Sequence, residues 1–185
     1  MATVATPTVP AGTFTADPVH SSFGFAVRHM GVSTFRGTFD DVAARLESDG
    51  TDLRLEGRAK VESISIRTPD MFRAHVLSDE FFAAERHPEI AFRSTRIEVR
   101  EGGEATVEGE LEIKGIARPV TAHGEVQGPV TNPYGKTLVA LELSTTVDRR
   151  DFDIRWEATL PGSDKLALDH DVTISAHLEF VLDGE

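Results

Sequence analysis

The chain has 185 residues, 39% hydrophobic and 27% charged, which suits one globular domain and excludes a mini-protein that depends on covalent staples. Its 19 Lys and Arg against 31 Asp and Glu give a formal charge of −12, a surface that repels phosphate backbones and anionic headgroups, so no nucleic-acid partner is expected. Cysteine is absent, which removes disulfides, thiolate nucleophiles, Cys-type zinc sites and iron-sulfur clusters.

Residues 1–12, rich in Thr, Pro, Ala and Gly, carry no periodicity and read as a flexible lead-in or a strap, ahead of a single domain over 13–185. The start shows neither a basic n-region nor an apolar h-region, and no stretch approaches the roughly 20 apolar residues of a spanning helix. The expectation is a cytoplasmic protein without stable membrane insertion. Alternation of period two then marks strands over 23–29 and 35–46. In the next segment Leu53, Leu55, Gly57, Ala59 and Val61 alternate with Arg54, Glu56, Arg58, Lys60 and Glu62, the pattern of a strand with one buried and one wet face. The buried set then slips to Ile64 and Ile66, which predicts a bulge.

Residues 69–85 break the period. Met71, Phe72, His75 and Val76, followed by Phe81 and Phe82, predict one or two short helical turns that cap one end of the sheet. Alternation resumes over 90–99, where the phase slips again from Ile90 and Phe92 to Ile97 and Val99, and is clearest in Ala105, Val107, Gly109, Leu111 and Ile113. Strands over 120–126 and 139–147 follow, and Val172, Ile174, Ala176, Leu178 and Phe180 complete a last one. About eight long strands with bulges predict an all-β protein, an antiparallel sheet curled into a barrel with a short helical cap.

No catalytic constellation stands out. Glu108, Glu110 and Glu112 share one strand face with Lys114 and read as solvated, and the dense run Asp148-Arg149-Arg150-Asp151-Phe152-Asp153 reads as ion pairing and turn-making. The seven histidines form neither HxH nor HExxH, and Gly-x-Ser-x-Gly and Gly-rich phosphate loops are missing. His29 differs from the others because it shares the parity of Phe23, Phe25 and Val27, as a core histidine or a ligand contact does. Phe supplies 11 residues while Trp and Tyr occur once each, so the aromatic content is almost wholly apolar. Pattern alone leaves a filled core and an oily cavity equally open.

The run Asp17-Pro-Val-His20-Ser-Ser-Phe-Gly-Phe-Ala-Val-Arg-His29-Met-Gly resembles the opening of the YceI-like family of polyisoprenoid-binding, lipocalin-like proteins. Three further runs agree in order and spacing: Phe81-Phe82 with His87-Pro-Glu-Ile-Ala-Phe-Arg-Ser94, Gly109-Glu-Leu-Glu-Ile-Lys-Gly115-Ile-Ala-Arg-Pro-Val120, and Val147-Asp-Arg149-Arg-Asp151-Phe152. The resemblance implies an eight-stranded antiparallel lipocalin-like barrel whose interior holds an isoprenoid such as a quinone, often in a homodimer. It implies binding without an established reaction, and no required cofactor. One departure is local. The family commonly shows Arg-Asp-x-His-Leu in the cap, whereas this chain has Arg73-Ala74-His75-Val76 and lacks the Asp.

On this reading Phe23, Phe25, Val27, Phe39, Ile90, Phe92, Leu111, Ile113, Leu141, Leu143, Val147, Ile174 and Leu178 line a tunnel for a polyprenyl tail, with His29, His75 and Trp156 near its mouth. Burying one isoprene unit is worth about 2–4 kcal/mol, against about 1 kcal/mol for a hydrogen bond, so chain length is expected to dominate affinity. Two other readings stand beside it. One is a hydrolase or isomerase on a hydrophobic substrate using His29 or His75 with a carboxylate such as Asp151; the other is an interaction module that pairs through an exposed strand.

Overall fold

The computed structural model describes residues 8–184. Ten strands form one antiparallel sheet: β1 (Gly12–Ala16), β2 (Ser22–His29), β3 (Ser33–Phe39), β4 (Val42–Ser48), β5 (Leu53–Lys60), β6 (Glu89–Val99), β7 (Glu104–Ile113), β8 (Ile116–Thr131), β9 (Thr137–Asp148) and β10 (Leu168–Leu182). Among the described residues there is one α-helix, α1 (Asp70–Leu77), between β5 and β6. The order is β1-β4-β5-β6-β7-β8-β9-β10, and β1 pairs back onto β10, which closes an eight-strand barrel. The fold is therefore the all-β barrel with a helical cap that the alternation predicted.

The count of ten against eight has a local cause. Long β10 carries β1 on one stretch, through Phe14↔Leu182 and Ala16↔Phe180, and β2 on the next, through Phe23↔Ala176, Phe25↔Ile174 and Val27↔Val172. β1 and β2 thus share one position in the wall, and β4 and β3 share the neighbouring one. The predicted strand over 35–46 is cut at Asp40–Asp41, whose carboxylates pair with Arg67 and Lys60. The cut resets parity: Phe35 and Phe39 face inward before it, Val42, Ala44 and Leu46 after it.

The two expected bulges part ways. Between Ser94 and Arg96 the β6–β7 register does shift. The slip after Val61 is instead a 3₁₀ turn, Val61–Ser63, that ends β5 and swings Ile64 and Ile66 under the cap. Arg73 of α1 donates to the carbonyls of Glu62, Ile64 and Ile66, which fixes helix to turn.

Most of the expected lead-in, 1–7, lies outside the described residues. Within the rest, Val9 is buried in the core and its carbonyl accepts from the Ser48 hydroxyl, so this part is a packed strap. The barrel is filled at that end. Phe14, Leu46, Val107, Val139, Leu141 and Phe180 are each at most 1% exposed and belong to one packed cluster. Close-packed aliphatic and aromatic side chains leave no passage for a ligand there.

Candidate functional site

The opposite end is hollow. Under α1 lies a cavity of about 520 Å³, within the range of small-molecule sites, and its surface is overwhelmingly apolar. Phe25 and Val27 of β2, Phe35 and Phe39 of β3, Ile113 of β7, Val147 of β9 and Val172 of β10 form the walls; Phe72, Val76, Phe81 and Phe82 form the roof. Phe152, Ile154 and Trp156 close the remaining side. The aromatic rings run nearly continuously, with centroids 5.7 Å apart for Phe23 and Phe39, 5.9 Å for Phe25 and Phe35, and 5.8 Å for Phe39 and Phe82. Such tilted and edge-on pairs hold one another in place without filling the space between them. Gly37 makes room for one of these rings, since a Cβ there would sit 2.5 Å from the Phe25 ring.

Toward the filled end a lesser chamber of about 90 Å³ follows, lined by Phe92, Leu111, Leu143 and Leu178 among others. Phe23, Ile90 and Ile174 line both chambers and so form the floor between them. Of the residues read from the sequence as tunnel lining, the large cavity brings together Phe23, Phe25, Val27, Phe39, Ile90, Ile113, Val147 and Ile174, with His29, His75 and Trp156. Phe92, Leu111, Leu143 and Leu178 belong to the lesser chamber. Leu141 lines neither: it is fully buried in the packed cluster, with Val126 and Leu178 as its neighbours on the adjoining strands. The expected continuous tunnel is a blind chamber with a small annex.

Polar groups gather at the rim. The His75 ring packs edge-on against Phe81 and Trp156, with centroids 5.1 and 5.7 Å away, and its Nε2 lies 2.7 Å from the Glu80 carboxylate. The carboxylate that pairs with His75 is thus Glu80, while Asp151 is exposed on the 3₁₀ turn after β9. His29 is exposed at the mouth, opposite Leu168 on β10.

Two cations brace the segments around the cavity, Arg149 on its lining and Lys114 behind it, and the sequence marked neither as a site residue. Arg149 is only 4% exposed, yet among the described residues no carboxylate hydrogen-bonds to it. Its guanidinium donates to three backbone carbonyls, those of Asp169 (2.9 Å), Ile154 (2.6 Å) and Leu168 (3.3 Å), and burial pushes its pKa below the ordinary arginine value. The signal was present: Arg149 continues the inward odd parity of Leu141, Leu143 and Val147. Next to it, Arg150 clamps Asp148 with paired hydrogen bonds and holds that carboxyl down at about 2. The dense acidic and basic run does make a turn and internal ion pairs, as its composition suggested.

Glu108, Glu110 and Glu112 are exposed as read, but Lys114 does not share their solvated face. It opens the two-residue turn between Ile113 and Ile116 at φ +55°, followed by Gly115 at +71°, a twist that suits a tight hairpin. This rotation turns the side chain away from the Glu row. Its side chain is 9% exposed, and its ammonium donates to the Asp79 carbonyl (2.7 Å) and the Asp153 carbonyl (2.8 Å), tying the loop after α1 to the 3₁₀ turn after β9. Among the described residues, the group with metal-ligand character is Asp17, His20 and Glu179, outside the barrel where β1 gives way to β2. His20 lies 3.3 and 3.5 Å from the two carboxylates, an arrangement that ion pairing satisfies.

A closed antiparallel barrel, solid at one end and holding an apolar chamber under a helical cap at the other, has the architecture of a lipocalin-like barrel. The sequence profile of the YceI-like domain matches residues 14–180, and the chain belongs to that family. A UPF0312 protein of Staphylococcus aureus is 31% identical over 170 residues, covering 90% of this chain and 96% of its own. Among solved structures, Burkholderia cenocepacia BcnA superposes with a TM-score of 0.74 at 21% identity, over 89% of this chain and 98% of that one. A domain of Saccharophagus degradans described as polyisoprenoid binding and implicated in plant cell wall breakdown gives 0.69 at 14% identity, over 91% and 98%.

Proposed function

We propose that the protein binds a polyisoprenoid lipid, a polyprenyl compound or an isoprenoid quinone, in the chamber beneath α1 and carries it without chemical change. The observation that carries this reading is the cavity itself: about 520 Å³ walled by phenylalanine and aliphatic side chains, with its polar groups confined to the rim. A branched hydrocarbon chain makes dispersion contacts throughout such a space and needs no hydrogen bond inside it. The family membership and the polyisoprenoid-binding neighbour support the same ligand class. On this reading His29, His75 and Trp156 contact the headgroup, which their places on the cavity lining support, with Glu80 2.7 Å from His75.

The test is organic extraction of the purified protein followed by mass spectrometry, with a lipid panel assayed for turnover in parallel. An isoprenoid recovered in stoichiometric amount and unaltered after incubation supports the carrier. A panel member converted by the protein, with conversion lost in His75→Ala while binding persists, replaces the carrier with the enzyme. Assembly as a homodimer belongs to the same proposal, and sedimentation with and without lipid measures it.

A further inference from the structure

The isoprenoid reading leaves open how long a chain the protein accepts, and the geometry points to an answer. We propose that the barrel is a length-limited site for prenyl chains of about four isoprene units; this deepens the reading above and rests on it. Three observations carry the limit. The chamber has a finite volume, about 520 Å³. Its floor is Phe23, Ile90 and Ile174, and beyond the floor lies an annex of about 90 Å³; the polar hollow that adjoins the annex at Gly57 and Phe92 is lined by Arg45, Glu56, Arg93 and Glu110 and does not suit a hydrocarbon chain. Past that annex the barrel is solid, with Phe14, Leu46, Val107, Val139, Leu141 and Phe180 at most 1% exposed.

An apolar protein cavity of about 150 Å³ accepts one benzene, six carbons, so the large chamber accommodates about 20 carbons, or four isoprene units. The annex adds less than one unit on the same scale. Barrel closure through the β1–β10 pairing denies a longer chain a lateral way out at the filled end. Any further unit therefore stays in the mouth, past His29 and Trp156, where water reaches it and burial contributes little. Selection arises from a wall, and the headgroup has no part in it.

Prenyl alcohols of two, three, four, six and eight isoprene units, titrated singly, provide the test. Trp156 is the chain's one tryptophan and lies on the cavity wall, so its emission reports occupancy directly. Affinity is expected to rise at least about tenfold per unit up to four units, then change by less than about threefold from four to eight. Phe23→Ala opens the floor and should move the break outward by about one unit; Phe23→Leu, milder toward folding, should move it in the same direction. Affinity that keeps climbing through six and eight units overturns the length limit and leaves the isoprenoid reading standing. A break that stays put in both folded variants overturns the floor as its cause. Absence of saturable binding for every alcohol defeats the isoprenoid reading, and the limit with it.

Discussion

Replacing Arg149 by Met separates a structural clamp from a headgroup contact. In the native chain one buried guanidinium ties β10, through Asp169 and Leu168, to the segment leading to Trp156, through Ile154. A hydrogen bond to a charged donor is worth roughly 1.5–3 kcal/mol, so three set an upper bound of roughly 5–9 kcal/mol. Methionine offsets part of this, because it relieves the cost of holding a cation out of water and keeps most of the packing. It leaves three carbonyls without their donor, and the expected net loss is about 3–5 kcal/mol. For a chain of this length that lowers the melting temperature by roughly 6–20 °C, measured by circular dichroism. Below the transition Trp156 emission should shift to longer wavelength as the mouth loosens. Arg149→Lys should recover only a minor part, because one ammonium does not span three carbonyls set around a planar fork. A Met variant that melts within about 2 °C of the native protein refutes the clamp.

Three other outcomes follow from the same geometry. Val147→Trp projects into empty space and should abolish lipid uptake with a loss under about 1 kcal/mol, whereas Leu141→Trp overpacks the filled end and should cost about 3 kcal/mol or more; equal melting shifts contradict the half-hollow barrel. Asp148, held at about 2 by Arg150, has a depressed folded-state pKa, so its stabilisation is complete above the unfolded value near ~3.9 and fades as pH falls toward 2. The difference in melting temperature between native protein and Asp148→Asn should therefore shrink between pH 4 and 2, and a constant difference over that window rejects the linkage. Lys114→Met frees the Asp79 and Asp153 carbonyls and should cost about 2 kcal/mol, with faster amide exchange in the loop after α1 as the local sign; unchanged exchange there shows that the tie does not hold the cap.

Much of this site was legible before any coordinates. Period-two alternation sorts inward from outward residues because strand side chains alternate faces, and it placed Phe23, Phe25, Val27, Ile113, Val147 and Ile174 on the cavity side. The same pattern put Leu141 and Leu143 in one class, although one is sealed in the core and the other borders a void. Alternation reports a face and carries nothing about depth along the barrel axis. Charge patterning failed in a related way at Lys114 and Arg149. A cation in sequence is normally solvated, and only the meeting of distant carbonyls around it makes burial tolerable.

Nearest-neighbour alternation and turn chemistry are local properties of the chain, and an antiparallel sheet with one apolar face can be read directly from them. That one end of the interior is empty came only from the tertiary structure. Emptiness depends on how rings from β2, β3, α1 and the segment after β9 stand apart, held by carbonyls that Arg149 and Lys114 gather from remote positions. No local pattern encodes the distance between elements brought together only by the fold.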